Sequence, residues 1–76
     1  MKAFILISLS NTPVHQTMPE IKSYPQVKKA HFIFGEWDMI VEVEFPNAEE
    51  LAFFVMDKLR TRDDVKLTSS LIVAGE

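Results

Sequence analysis

Phe32-Ile33-Phe34-Gly35-Glu36-Trp37-Asp38-Met39-Ile40-Val41-Glu42-Val43-Glu44-Phe45 reads as two strand-like runs around a short polar break. On its right side the alternation is strict. Met39, Val41, Val43 and Phe45 share one face of a strand, and Ile40, Glu42 and Glu44 share the other, because successive side chains on a strand point to opposite faces. The break at Gly35-Glu36-Trp37 is short enough to make an antiparallel hairpin, with Gly35 supplying the positive φ that a tight turn needs. The pattern predicts one strand over Val27 to Phe34 and the next over Asp38 to Phe45.

Downstream, Asn47 followed by Glu50 three positions later is a capping-box-like start. Ala48, Leu51, Ala52, Val55 and Leu59 then fall on one helical face. Phe54 and Met56 flank that face, and Phe53 points away from it, as a lone exposed aromatic or as a contact with another subunit. Thr61-Arg62-Asp63-Asp64 is a loop, and Val65 to Ala74 is the last strand. Upstream, Ala3 to Leu9 is a continuous apolar run that suits a central strand. After Ser10-Asn11-Thr12-Pro13, with Thr12 a candidate N-cap and Pro13 suited to a first helical turn, Val14, Met18 and Ile21 recur at helical spacing towards Tyr24. Pro19 lies inside this segment, so the helix is expected to be short, kinked or broken.

The order is βαββαβ. Two split β-α-β units with right-handed crossovers place strands one and three in the centre, strand two beside three and strand four beside one. The predicted fold is α+β, ferredoxin-like: a four-stranded antiparallel sheet with both helices on one face, spanning residues 1–76 as one domain. Strand one is apolar on both sides, Ala3, Ile5, Ile7 and Leu9 against Phe4 and Leu6, yet helices cover only one face. A second sheet from another copy is the simplest cover, giving a homodimer of the dimeric α+β-barrel kind. Glu42 and Glu44 are expected near its rim, where Lys28 or Lys29 offsets them.

Composition agrees. A chain of 76 residues with 47% hydrophobic residues is one domain that, at this size, hides only about 60% of the surface its unfolded chain exposes. Small domains often need disulfides, metal or partners. With no cysteine, neither a disulfide nor a thiolate metal site is possible. His15 and His31 are too few for a structural zinc site, and His31 suits a structural or surface role. No cofactor or metal is expected. The net charge of −3 with eight scattered basic residues leaves no footprint for direct DNA binding. Its apolar runs are strand-sized, so no membrane span is expected, and the apolar start lacks a cleavage site, so a cytoplasmic location is expected.

These pieces together resemble the effector-binding domain of the Lrp/AsnC family of transcription regulators, the RAM domain. The family pattern is matched by Pro25-Gln26-Val27 before strand two, Phe34-Gly35-Glu36-Trp37-Asp38 at the hairpin, Glu49-Glu50-Leu51 in the helix, and Val65-Lys66-Leu67-Thr68-Ser69-Ser70-Leu71-Ile72-Val73 in the closing strand. The family's N-terminal helix-turn-helix domain has no counterpart here, so a stand-alone form is expected. Ser70 replaces the more usual threonine, keeping the hydroxyl and removing a methyl, and Ser10 to Tyr24 lacks the family's regular first helix. The resemblance implies a non-enzymatic sensor of an amino acid or similar small molecule. It also implies dimers that assemble to octamers or decamers, effectors bound in clefts between neighbouring dimers, and possible partnership with full-length Lrp/AsnC regulators.

The implied ligand-binding residues are Gly35, Glu36, Trp37, Asp38, Thr68, Ser69 and Ser70. Asp38 suits an ammonium through charge-assisted hydrogen bonds, or else satisfies backbone donors in the turn. Amides around Gly35, Glu36 and Trp37 suit a carboxylate. Thr68 and Ser70 offer hydroxyls, or are ordinary strand residues. Trp37, Phe34 or Phe32 offers an apolar wall, Trp37 alternatively an oligomer contact. Glu36 is expected to be solvated. The competing reading is a small dimeric α+β-barrel enzyme, a cofactor-free monooxygenase or isomerase, which would need a paired acid and base.

Overall fold

A computed structural model describes residues 1–10 and 14–75. The elements run β1 (Lys2–Leu9), α1 (Val14–Lys22), β2 (Val27–Phe32), β3 (Met39–Glu44), α2 (Ala48–Phe54), a π-helical turn (Val55–Leu59) and β4 (Val65–Ile72). The expectations for Thr12 and Pro13 lie outside the described residues.

The sheet order is β2-β3-β1-β4, and every pairing is antiparallel. Ile5 lies opposite Val41 on one side and Ser70 on the other. Ala3, Ile5, Ile7, Met39, Val41 and Val43 are fully buried and share one core with Ile21 of α1, Leu51 and Phe54 of α2, and Val55 and Leu59 of the π turn. Both helical segments therefore pack on the same sheet face, as the alternation predicts.

Several boundaries move. Phe32 is the last residue of β2, since Ile33 N–H donates to the Asp38 carbonyl at 2.9 Å and closes a loop over Phe34 to Trp37. Asp38 N–H turns to the Ile7 carbonyl of β1, also at 2.9 Å, so β3 begins one residue later than expected. Gly35 has φ +134°, the conformation that its absent Cβ permits. Pro19 sits inside α1 without ending it. The helix is short, as expected, and stops at Lys22 before Tyr24-Pro25.

In α2, Asn47 Oδ1 accepts the Glu50 N–H at 2.9 Å, the predicted N-cap. The buried stripe is Leu51, Phe54, Val55 and Leu59, whereas Ala48 and Ala52 are exposed. Phe54 is drawn inward by aromatic neighbours: Tyr24 edge-on at 5.3 Å and Phe45 tilted at 5.2 Å. Such pairs add to the gain from burial. The helix then widens, with Arg60 N–H bonding the Val55 carbonyl at 2.8 Å, five residues back. Phe53 is exposed.

Candidate functional site

The hairpin loop is built for hydrogen bonding outward. Among the described residues, the amides of Gly35, Glu36 and Trp37 donate to no protein acceptor. Gly35 and Glu36 are exposed and Trp37 is half-buried. Beside them, Asp38 Oδ2 accepts the Leu9 N–H at 2.7 Å. The pairing of β1 with β4 slips between Ser8 and Leu9, and a bulge of this kind leaves a backbone group without a ladder partner. Asp38 therefore ties the loop to β1, satisfying a backbone donor on another strand rather than in its own turn.

The closing-strand hydroxyls divide between the two faces. Thr68 and Ser70 lie opposite Ile7 and Ile5 on the helix side, and Ser69 lies opposite Leu6 on the open side. Thr68, Ser70 and Ile72 form the strand wall of a groove of about 350 Å³, whose other wall is Ala48, Leu51, Ala52, Val55 and Met56, with Arg60 at one end. That volume falls in the range of small-molecule clefts, about 300–1,000 Å³. None of the hairpin residues lines it. The hairpin joins β2 to β3, and β1 stands between β3 and β4, so Asp38, bonded to β1, and Thr68, opposite Ile7, lie on either side of that strand.

Arg60 had no distinguishing signal in the sequence. Each residue of an α-helix advances about 100°, and a π turn inserts extra chain into the helix. The side of the helix on which Arg60 emerges depends on that turn, which the apolar spacing does not announce. The side chain is exposed and has no partner among the described residues.

A second polar cluster looks site-like but is internally satisfied. Arg62 donates to both oxygens of Asp64, at 2.8 and 2.7 Å, and to Glu20 Oε1 at 2.7 Å. Thr17, itself buried, donates to Asp64 Oδ2 at 2.8 Å. The Arg62 hydrogen bond holds the Asp64 carboxyl below its ordinary range, and Asp64 in turn raises the guanidinium further. This clamp binds α1 to the loop before β4. Among the described residues no group of three or more His, Cys, Asp or Glu side chains is placed to hold a metal, and no helix is long and apolar enough to cross a membrane.

On the open sheet face, Phe4, Leu6 and Ile40 are half-buried, and Leu67 and Leu71 are exposed. Lys29 lies opposite Glu42 and His31 opposite Ile40 in the β2–β3 register. The four-stranded antiparallel sheet with both helical segments on one face makes an α+β domain of ferredoxin-like topology. The chain belongs to the Lrp/AsnC ligand binding domain family, whose model matches residues 2–76. It is 38% identical over 73 residues to an uncharacterized helix-turn-helix-type transcriptional regulator of Pyrococcus abyssi, covering 92% of this chain and 49% of that protein. The chain spans about half the length of the curated relatives it matches. Among solved structures, a hypothetical protein of Pyrococcus horikoshii superposes with a TM-score of 0.86 at 32% identity, covering 99% of this chain and 90% of that one. A Neisseria meningitidis transcriptional regulator in complex with L-Met superposes with a TM-score of 0.90 at 23% identity, covering 99% of this chain and 50% of that one; that likeness is one of fold.

Proposed function

We propose that this domain is a non-enzymatic sensor of a free amino acid that acts in transcription regulation through its assembly. The observation that carries this is the loop at Gly35–Trp37, with its unpaired amides beside the Asp38 carboxylate. The amides suit the carboxylate of the ligand, Asp38 suits its ammonium, and Trp37 gives an apolar wall. Hydroxyls of Thr68 and Ser70 come from a neighbouring copy, since one chain keeps them apart from the loop. Ser69, on the open face, stands further from such a site.

The working unit is a homodimer packed through Phe4, Leu6, Ile40, Leu67 and Leu71. It assembles further to an octamer or decamer in the cytoplasm, alone or with full-length Lrp/AsnC regulators, and without contacting DNA itself. An amino acid is the ligand class to try first, as the Neisseria regulator of the same fold was solved with L-Met. The barrel-enzyme alternative lacks a supporting pair of groups: Asp38 is bonded to a backbone amide, and His31 is exposed on the open sheet face.

The test is calorimetric titration with each standard amino acid, at two temperatures so that a vanishing enthalpy is not mistaken for no binding. Alanine at position 38 would also strip the Leu9 amide of its acceptor, so the informative variant is Asp38→Asn, which keeps an acceptor oxygen and removes the charge. A hydrogen bond to a charged group contributes about 1.5–3 kcal/mol, so affinity should fall roughly 10- to 150-fold with the fold intact. Unchanged affinity removes Asp38 as the ammonium partner. No binding by any amino acid removes the sensor reading and leaves an assembly role.

A further inference from the structure

We infer that the outer edge of β4 takes up an extended peptide of another protein as a fifth strand, with apolar side chains in the α2–β4 groove and a carboxylate at Arg60. In an antiparallel pair, directly opposed residues alternate between exchanging both N–H···O bonds and exchanging none. Val73 N–H donates to the Lys2 carbonyl at 3.1 Å. By that alternation Phe4 bonds Leu71 and Leu6 bonds Ser69, whereas the opposed pairs Ala3–Ile72, Ile5–Ser70 and Ile7–Thr68 exchange no bonds. The other side of β1 agrees: Phe45 N–H donates to the Met1 carbonyl at 3.0 Å, which turns the odd-numbered residues of β1 towards β3. The N–H and C=O groups of Thr68, Ser70 and Ile72 therefore point away from β1, to the side where β4 has no neighbouring strand among the described residues.

The same three residues form the strand wall of the groove. Its helix wall is kept low by Ala48 and Ala52, Met56 is 58% exposed and Ile72 is 49% exposed, so apolar surface is left open. A strand laid along β4 sets every second side chain over that surface. When a peptide adds to a sheet edge, main-chain bonds give affinity and pockets for alternate side chains give specificity; here edge and pocket coincide. The edge is also unguarded. β2, on the far side of the sheet, carries Lys28 and Lys29 side by side and slips in register between Val27 and Lys29, and both features discourage pairing with another chain. β4 slips only near its start, opposite Ser8 and Leu9, and Lys66 is its one charged residue. Arg60 and Lys66 flank the loop into β4, and neither has a partner among the described residues. A peptide antiparallel to β4 brings its C-terminal end to these two cations. The segment that fits has apolar residues at alternate positions followed by a carboxylate, since charge complementarity fixes orientation.

The contact goes beyond the sensor reading and does not rest on it, because the backbone of β4 makes it and no amino acid is needed.

Fluorescence anisotropy with an array of labelled peptides, each the length of β4 at eight residues, tests it. The peptides carry Val, Leu, Ile or Phe at alternate positions, Thr between them, and Glu or Lys as the last residue, with the C-terminus amidated. Glu-ended peptides are expected to bind, and Lys-ended ones roughly tenfold more weakly. Arg60→Glu is expected to reverse that preference with unchanged far-UV circular dichroism, because its side chain is exposed. Methylating every second amide nitrogen of the best peptide is expected to abolish binding in one of the two possible patterns and to spare it in the other, since only alternate residues face the edge. No binding by any peptide overturns the inference, as does an Arg60→Glu variant with the wild-type preference. Binding that survives both methylation patterns makes the groove a side-chain pocket and overturns the fifth strand. A fall in the mass of the protein in light scattering when the best peptide is added assigns the edge to a second copy of this chain instead.

Discussion

Gly35 shows how one residue shapes the loop. A Cβ added there would meet no atom within 4 Å, so the cost of Gly35→Ala is purely that of the backbone at φ +134°. Strain of this kind costs on the order of 1–3 kcal/mol. We expect Gly35→Ala to lower the unfolding free energy by about that much in urea, and to weaken amino-acid binding by moving the Glu36 and Trp37 amides. A variant as stable as wild type would mean the loop relaxes to an ordinary φ. The need for a glycine was legible from Gly35's place between two strands. The partner of Asp38 was not. Its carboxylate reaches Leu9, 29 positions away, because β1 slips at Ser8/Leu9, and nothing in the apolar run of that strand marks the slip.

Between elements, the clamp from Arg62 to Asp64, Glu20 and Thr17 joins α1 to the loop before β4. Thr61-Arg62-Asp63-Asp64 reads only as a polar connection in sequence, since the partners Thr17 and Glu20 lie on a helix some forty residues earlier. The folded-state pKa of Asp64 is depressed by Arg62. Its contribution to stability is therefore complete above the unfolded value, about 4, and is lost as pH falls through the folded value. We expect Asp64→Asn to be less stable than wild type at neutral pH and the gap to narrow as pH falls below about 4, measured as melting temperature across pH. A constant gap would show that the ion pair adds no net stability. The bounds of α1 and of α2 differ from expectation for separate reasons. Pro19 is absorbed within a helix of nine residues, and after Phe54 the helix widens into a π turn over Val55–Leu59 that the apolar spacing of a regular wheel does not express.

For the molecule as a whole, topology was the most legible property. Met39, Val41 and Val43 alternate with Ile40, Glu42 and Glu44, and that period of two names the buried face of β3 before any coordinates. The matching face of β1 follows from register, Ile5 with Val41 and Ile7 with Met39. Less legible was the division of the proposed site, since Thr68, Ser69 and Ser70 sit together in sequence but alternate between faces. The open face yields its own test. Leu71 is half exposed there, opposite Phe4, and Leu71→Lys should move the protein towards lighter species in sedimentation velocity. An unchanged mass in that variant would show that another surface holds the copies together.

The central place of β1 also has a consequence for the chain's birth. Its neighbours in the sheet are β3 and β4, and Ile7 meets Thr68 only some sixty residues later. At roughly 5–20 residues per second of synthesis, that is about 3–12 s before both edges of this apolar strand can be paired, its β3 partner Met39 arriving about halfway through. Pairing over such long sequence separation is slow, and an exposed strand edge invites a stranger. β1 is made before both strands that pair with it and is enclosed only when β4 arrives, so whatever shelters a nascent polypeptide has most to protect at this strand.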